Sequence, residues 1–443
     1  MRQALRGLTT RGRSFLAAGA AAGLSALVLG ERDLLRVAIL LAALPLLAAA
    51  YVGQTRYRLS CTRGVEPGRI PVGSPARVML RLSNLSRLPT GTLLLEDRLP
   101  YALGSRPRLV LERLGGQRAS TVAYTVRAEV RGRYSVGPLV VRLTDPFGLC
   151  ELTRSFASTA HLTVVPHTEP LPSVRLAGEY AGSGDSRARS VAVHGEDDIA
   201  TREYRNGDDL RRVHWRSTAR VGELMVRREE QPWESRATVV LDTRRGGHRG
   251  EGPTSSFEWA VSAVGSISLH LRRSGYRIRL VTGGGGTTSS GLAGVDLDTT
   301  EHDGEGALLD ALAEVNASPA ATIPAVVDTV RRRSDGGLVI AVLGGLTLAE
   351  AESLAALRAS GTTCIALLID PASWLNQPES ARAEATAAHE AAALTLLRSG
   401  WRVIGIEHGA GLATLWPQAA RGSQGFALRA AMAETVAPTG VGT

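Results

Sequence analysis

The sequence predicts a multidomain chain: a transmembrane helical hairpin, an all-β sandwich, then an α/β domain built on a parallel sheet. Three observations carry this. Two apolar runs, Phe15 to Gly30 and Leu34 to Gly53, stand close together near the amino terminus. From about Thr55 to Pro166 the apolar residues recur with period two. Beyond residue 236, short apolar runs alternate with segments of helical period. The divisions expected are 1–54, 55–170, a linker at 171–198, and 199–443.

Twenty residues at about 1.5 Å each cross roughly 30 Å of hydrocarbon, so the second run spans a bilayer. The first, slightly shorter, borrows Arg13 and Ser14 by snorkelling. Pro45 is expected to kink the second helix, which a bilayer helix tolerates. A signal peptide would explain the first run, but the second follows after only Glu31, Arg32 and Asp33, so cleavage would still leave a span. Arg2, Arg6, Arg11 and Arg13 precede the pair, and Arg56, Arg58, Arg63 and Arg69 follow it. By the positive-inside rule both ends are cytoplasmic, giving a multi-pass protein of the cell membrane with its soluble domains on the inner face.

In the second region Val78, Leu80 and Leu82 alternate with Arg77, Met79 and Arg81. Val122, Tyr124 and Val126, then Val136, Leu139, Val141 and Leu143, continue the pattern between glycine turns, which predicts a sandwich of about seven strands. In Asp145-Pro146-Phe147-Gly148-Leu149 the Asp-Pro pair makes a turn and Phe147 is expected to plug the sandwich end. Residues 171 to 198 are rich in Gly, Ser and charge without apolar period, and read as a linker or a loop ordered on docking.

Residues 202 to 228 pack eight arginines, four acids, Tyr204 and Trp215 into one stretch. Asn206-Gly207-Asp208 is a turn signal, and Asp208 can cap a helix over Asp209 to Ala219 with Leu210, Val213 and Ser217 on one face. Arg212, Arg216 and Arg220 then form a second stripe able to grip carboxylates or phosphates. Structurally, the arginines pair with nearby acids and fix the domain, with Trp215 and Tyr204 contributing large apolar areas if buried. Leu224 to Arg228 leaves as a strand.

The positions Arg202, Tyr204, Gly207, Asp208, Arg211, Val213, Trp215, Ala219 and Arg220, followed by Leu224, Val226 and Arg227, resemble the signature of the domain-of-unknown-function 58 family. The passages from Arg131 and Asp145 resemble what precedes that signature. The resemblance implies a carboxy-terminal part like the von Willebrand factor A fold, and an association with MoxR-type AAA+ ATPases and transglutaminase-like membrane proteins.

Strands are read at Ala237 to Asp242, Tyr276 to Val281, Leu338 to Leu343, Ile365 to Ile369 and Val403 to Ile406. Helices are read at Phe257 to Ser274, Gly306 to Val315, and near 347 to 359 and 380 to 399. Such alternation means a parallel sheet covered on both faces. The Gly283 to Gly286 loop lacks dinucleotide spacing and reads as a surface loop. In metal-binding A domains the first strand ends D-x-S-x-S, where hard oxygens hold Mg²⁺. Here Asp242 is followed by Thr243, Arg244, Arg245 and Gly246, and the later strand ends in Gly344-Gly345, so Asp242 is a degenerate remnant and no metal or other cofactor is expected.

All 51 basic residues are arginine, which together with abundant Ala and Gly points to a GC-rich genome, so the net charge of +9 is not read as nucleic-acid binding. Anionic lipid is the simpler partner. Cys61, Cys150 and Cys364 lack metal-ligand spacing and suggest buried thiols, and a nucleophilic Cys150 beside His161 or His167 lacks a base placed by sequence. The function expected is a membrane-anchored, non-enzymatic adaptor or scaffold. It would dock a protein partner, such as a MoxR-type AAA+ ATPase, in the assembly or maturation of envelope complexes. Its binding residues would be Arg202, Tyr204, Gly207, Asp208, Arg211, Arg212, Trp215, Arg216 and Arg220. The alternative is an enzyme acting on an anionic or phosphate-bearing substrate, with the signature arginines as clamps and His214 or Asp208 as acid or base.

Overall fold

The computed structural model describes residues 7–56, 59–87, 89–145, 147–174, 176, 201–204, 213, 215–227, 236–282, 295–296, 304–333, 337–360, 362–375 and 378–421. The chain forms two compact units, one of residues up to His167 with Leu309–Glu314, the other of Thr168–Leu308 and Val315 onward.

In the first unit helix α1 (Thr10–Leu29) and helix α2 (Arg32–Arg56) follow one another almost directly, and both are long and apolar enough to cross a membrane. The first helix starts ahead of the apolar run because Thr9 caps it, its Oγ1 accepting the Gly12 amide at 3.2 Å. Gly30 ends it at φ +72°, a left-handed conformation that costs glycine nothing. Pro45 lies inside α2, which continues past it. The pair meets through small residues: a Cβ on Gly19 would stand 3.1 Å from the Ala38 carbonyl oxygen and 3.1 Å from the Ala42 nitrogen. Leu27, Val28, Leu40 and Leu47 point outward, exposed.

Strands β1 (Leu59–Glu66), β2 (Arg69–Pro71), β3 (Pro75–Asn84), β4 (Leu93–Asp97), β5 (Arg108–Leu111), β6 (Ala119–Arg127), β7 (Gly132–Val136), β8 (Leu139–Thr144), β9 (Glu151–Phe156) and β10 (Ala160–Val165) follow. With ten strands where about seven were expected, they form three sheets, β1-β3-β6, β2-β10-β7 and β5-β4-β8-β9. The reason lies in β3, whose buried residues Ala76, Val78, Leu80 and Leu82 make one face too long for a single partner sheet. Leu80 and Leu82 pack with Leu93, Leu95, Val141 and Leu143, whereas Ala76 and Val78 pack with Ile70, Val136, Leu162 and Val164. Between these cores Arg63 grips Asp97 at two points, 2.5 and 2.7 Å, with side chains 0% and 1% exposed, and the Tyr124 hydroxyl donates to the same carboxylate. Phe147 does not plug the sandwich. It is 64% exposed, because buried Asp145 folds the loop back on itself by accepting the amides of Phe147 at 2.9 Å and Cys150 at 2.6 Å.

In the second unit β11 (Thr201–Glu203) and β12 (Met225–Arg227) flank helix α3 (Trp215–Val221). Then come β13 (Arg236–Leu241), α4 (Ser256–Arg273), β14 (Arg277–Thr282), β15 (Val295–Asp296), α5 (Gly304–Glu314, whose part from Leu309 belongs to the first unit), α6 (Ile323–Arg333), β16 (Leu338–Leu343), α7 (Leu348–Ala355), β17 (Thr363–Ile369), α8 (Glu379–Arg398) and β18 (Arg402–Ile406). Most of the expected linker, and Gly283 to Gly286, lie outside the described residues.

The last six strands form one sheet in the order β15-β14-β13-β16-β17-β18, five of them parallel and β15 antiparallel at the edge. Val240, Val339, Ala341, Ala366 and Leu368 share one core with Val326 and Val330 of α6, Leu354 of α7 and Leu396 of α8. Helix α4 packs on β13, β14 and β16, burying Ala260, Val264, Ile267 and Leu271. Strand order reverses between β13 and β16, so their carboxyl ends open a crevice at the switch point of the sheet.

Candidate functional site

At that crevice β13 runs into Asp242, which is 1% exposed. A buried carboxylate needs its oxygens satisfied, and this one is surrounded by donors. Arg244 gives Oδ1 its backbone amide at 2.9 Å and Nε at 3.0 Å, and gives Oδ2 its Nη2 at 2.7 Å. The Gly344 amide reaches Oδ2 at 3.0 Å. Arg244 continues across the crevice, donating from Nη1 to Glu350 Oε1 at 2.6 Å and from Nη2 to the Gly345 carbonyl at 2.9 Å. Burial alone would lower the Arg244 pKa, but Asp242 and Glu350 outweigh it and hold the guanidinium above its ordinary value.

Glu350 is fixed by the helix it begins. Thr347 and Glu350 form a capping box at the start of α7, in which Glu350 Oε2 accepts the Thr347 amide at 2.9 Å. The glycines are required on the other side: a Cβ on Gly344 would fall 2.2 Å from the Gly247 carbonyl oxygen, which accepts the Gly345 amide at 2.8 Å. Beneath this layer His248, buried, sets Nε2 2.9 Å from the Asp242 carbonyl and Nδ1 3.3 Å from Ser256 Oγ. A carbonyl can only accept, so Nε2 carries the proton. Burial, ahead of the opposing pull of Asp242, pushes the His248 pKa down.

A divalent cation does not fit at Asp242. Both its oxygens already hold an arginine two residues away, and the positions where hydroxyl ligands would stand are Arg244 and Gly246. The site carries its own cation, covalently attached.

The signature segment forms a second locus. Arg202 lies on β11, paired with Val226 of β12, and Tyr204, half-buried, extends the ladder by donating its amide to the Leu224 carbonyl at 2.8 Å. The helix between them runs from Trp215 to Val221, two residues past the expected end at Ala219, while Gly207, Asp208, Asp209, Arg211 and Arg212 lie outside the described residues. Val213 is buried and anchors the segment, while Trp215 is 70% exposed and Val221 57%. The sequence left open whether the Trp215 ring is buried, and here it is exposed. Arg216 falls within the helix and Arg220 is exposed. Thr218, which the sequence did not single out, accepts the Met225 amide at 3.0 Å and ties helix to strand. Cys150 is fully buried and its thiol is pushed up by burial, which disarms it as a nucleophile.

Fold and site thus define a chain with two apolar amino-terminal helices, β sheets and a carboxy-terminal parallel-sheet unit whose switch point is closed by an internal arginine. Residues 200–373 match the model of the family described as protein of unknown function DUF58, and this stretch includes the signature positions from Arg202 to Arg227. A protein of Bacillus subtilis (strain 168), called uncharacterized protein YeaD, is 25% identical over 220 residues, which is 48% of this chain and 53% of that protein. The match therefore spans about half of each. Among solved structures, the CARDB domain of a Pyrococcus furiosus protein is 12% identical over 24% of this chain and 94% of that one, with a TM-score of 0.18. The sporulation control protein Spo0M of Bacillus subtilis is 12% identical over 25% of this chain and 50% of its own, with a TM-score of 0.16. Neither likeness carries an argument about this fold.

Proposed function

We propose that the protein is a membrane-anchored, non-enzymatic adaptor whose second unit docks a protein partner through the signature segment. The observation that carries this is the exposure of Trp215 and Val221 on a short helix held between two strands. Large apolar side chains held out to solvent by a rigid support are the usual anchors of protein interfaces. The exposed Arg220 beside them adds a charge for orientation. The partner indicated by the family resemblance is a MoxR-type AAA+ ATPase.

Two further parts of the reading have support of their own. The strand order, the antiparallel edge strand and an aspartate closing the first strand all agree with a von Willebrand factor A-type module. Arginines before and after the helical pair favour a hairpin with both ends, and the soluble units, on the cytoplasmic side.

Co-purification of the MoxR-type ATPase of the same organism with wild-type and Trp215→Ala protein tests the docking. Capture should be lost, with stability changed by no more than about 0.5 kcal/mol because the ring is exposed. Undiminished capture, or a variant that unfolds, would overturn the assignment. Reporter fusions at residues 32 and 443 should give opposite signs of sidedness.

A further inference from the structure

We propose that the end of the β region next to the helices is itself a lipid-binding surface, with Phe147 and Leu85 entering the interfacial layer of an anionic leaflet. The proposal rests on reading α1 and α2 as membrane spans. Its evidence is the way the Asp145 to Leu149 loop is fastened to the start of α1. The Thr9 amide donates to the Leu149 carbonyl at 3.0 Å, the Thr9 hydroxyl to the Gly148 carbonyl at 2.7 Å, and the Glu151 amide to the Gly7 carbonyl at 2.7 Å. A Cβ on Gly12 would lie 2.2 Å from the Leu149 carbonyl oxygen, so the first turn of the span is in direct contact with this loop. At the other helix, the Tyr51 hydroxyl donates to the Pro89 carbonyl at 3.1 Å, which brings the loop after β3 to the same end.

Both loops hold a large apolar side chain outward, Phe147 at 64% and Leu85 at 62% exposure. Phe147 is not exposed by looseness, since Asp145 ties the backbone on both sides of it. It stands two residues from the carbonyl that receives the cap of the span, at the depth where aromatic rings favour the boundary between headgroup and chain. Arg11, Arg13, Arg87, Arg113 and Arg118 are exposed around this end, against the exposed acid Glu112. An apolar tip within a cationic rim fits an anionic lipid surface better than water.

The six tryptophans all lie beyond residue 200, so an indole added at Phe147 can be read as a difference from wild type. Full-length protein with Phe147→Trp would be placed in phosphatidylcholine–phosphatidylglycerol vesicles carrying bromine at defined acyl depths. Its added emission should be blue-shifted and quenched most by bromine near the glycerol end. Leu40→Trp, on the exposed face within α2, should be quenched by deep bromine, and Tyr101→Trp, 99% exposed beyond the far end of β4, by neither. Quenching of Leu40→Trp without quenching of Phe147→Trp overturns the proposal and leaves the spans standing. Absence of both removes the spans and the proposal together.

Discussion

Arg244 and Asp242, two residues apart, face each other as a two-point pair, Nε to Oδ1 at 3.0 Å and Nη2 to Oδ2 at 2.7 Å, at the switch point of the parallel sheet. Removing the arginine strands a buried carboxylate, so Arg244→Gln should destabilise the protein by about 3–5 kcal/mol in urea unfolding of the detergent-solubilised chain. Wild type should show no saturable Mg²⁺ or Mn²⁺ binding by calorimetry. A binding isotherm that Asp242→Ala abolishes would count against the arginine-filled site.

His248 supplies a pH dependence with a definite sign. Its pKa is lowered in the folded state by burial, so the unfolded chain takes up its proton first as pH falls below about 6.5. The stability it contributes is complete above that value and is lost as pH drops from there toward the lowered folded value. Thermal melts between neutral and mildly acidic pH should fall more steeply for wild type than for His248→Gln, and parallel slopes would remove His248 from this role.

Asp97→Asn should weaken the first unit by about 3–5 kcal/mol, since Arg63 would remain buried without its counter-charge. Replacing Arg63 and Asp97 together by Met and Leu should cost far less than either single change. Equal losses in the single and double variants would mean that packing, not charge, is what the pair supplies.

Gly19→Leu inserts a side chain where 3.1 Å separates the Cβ position from the Ala38 and Ala42 backbone, and the helices must part. Cysteines introduced at facing positions of α1 and α2 should cross-link in wild type and fail to do so in the variant. Unchanged cross-linking would show that the helices meet elsewhere.

What could be read from the chain depended on how local the cause was. Strand Leu338–Leu343 was legible to the residue because it is buried on both faces and bounded by glycines. The alternation of β3 was legible because only one of its faces is buried, but not the two cores that share that face, since which strands cover which half depends on distant sequence. Helix α6 was missed because Pro324 reads as a breaker, although proline at the first turn removes no intrahelical bond, and Ile323, Val326, Val327 and Val330 are buried at helical spacing. In the site, the substitution of Arg244 for a hydroxyl was visible in sequence. Its second partner, Glu350, was not, because it lies 106 residues away and only the fold brings it near. Phe147 was misjudged because an aromatic in a turn normally seeks the core, whereas here Asp145 turns it outward.

The clasp between Thr9 and the Gly148-Leu149 carbonyls joins groups 139 and 140 residues apart. During synthesis α1 leaves the ribosome long before its seat exists. The start of α1 must therefore wait without these partners until β8 and the loop after it have been made. A defect in the Asp145 turn would therefore surface at the start of α1, far away in sequence, as well as in the β region itself.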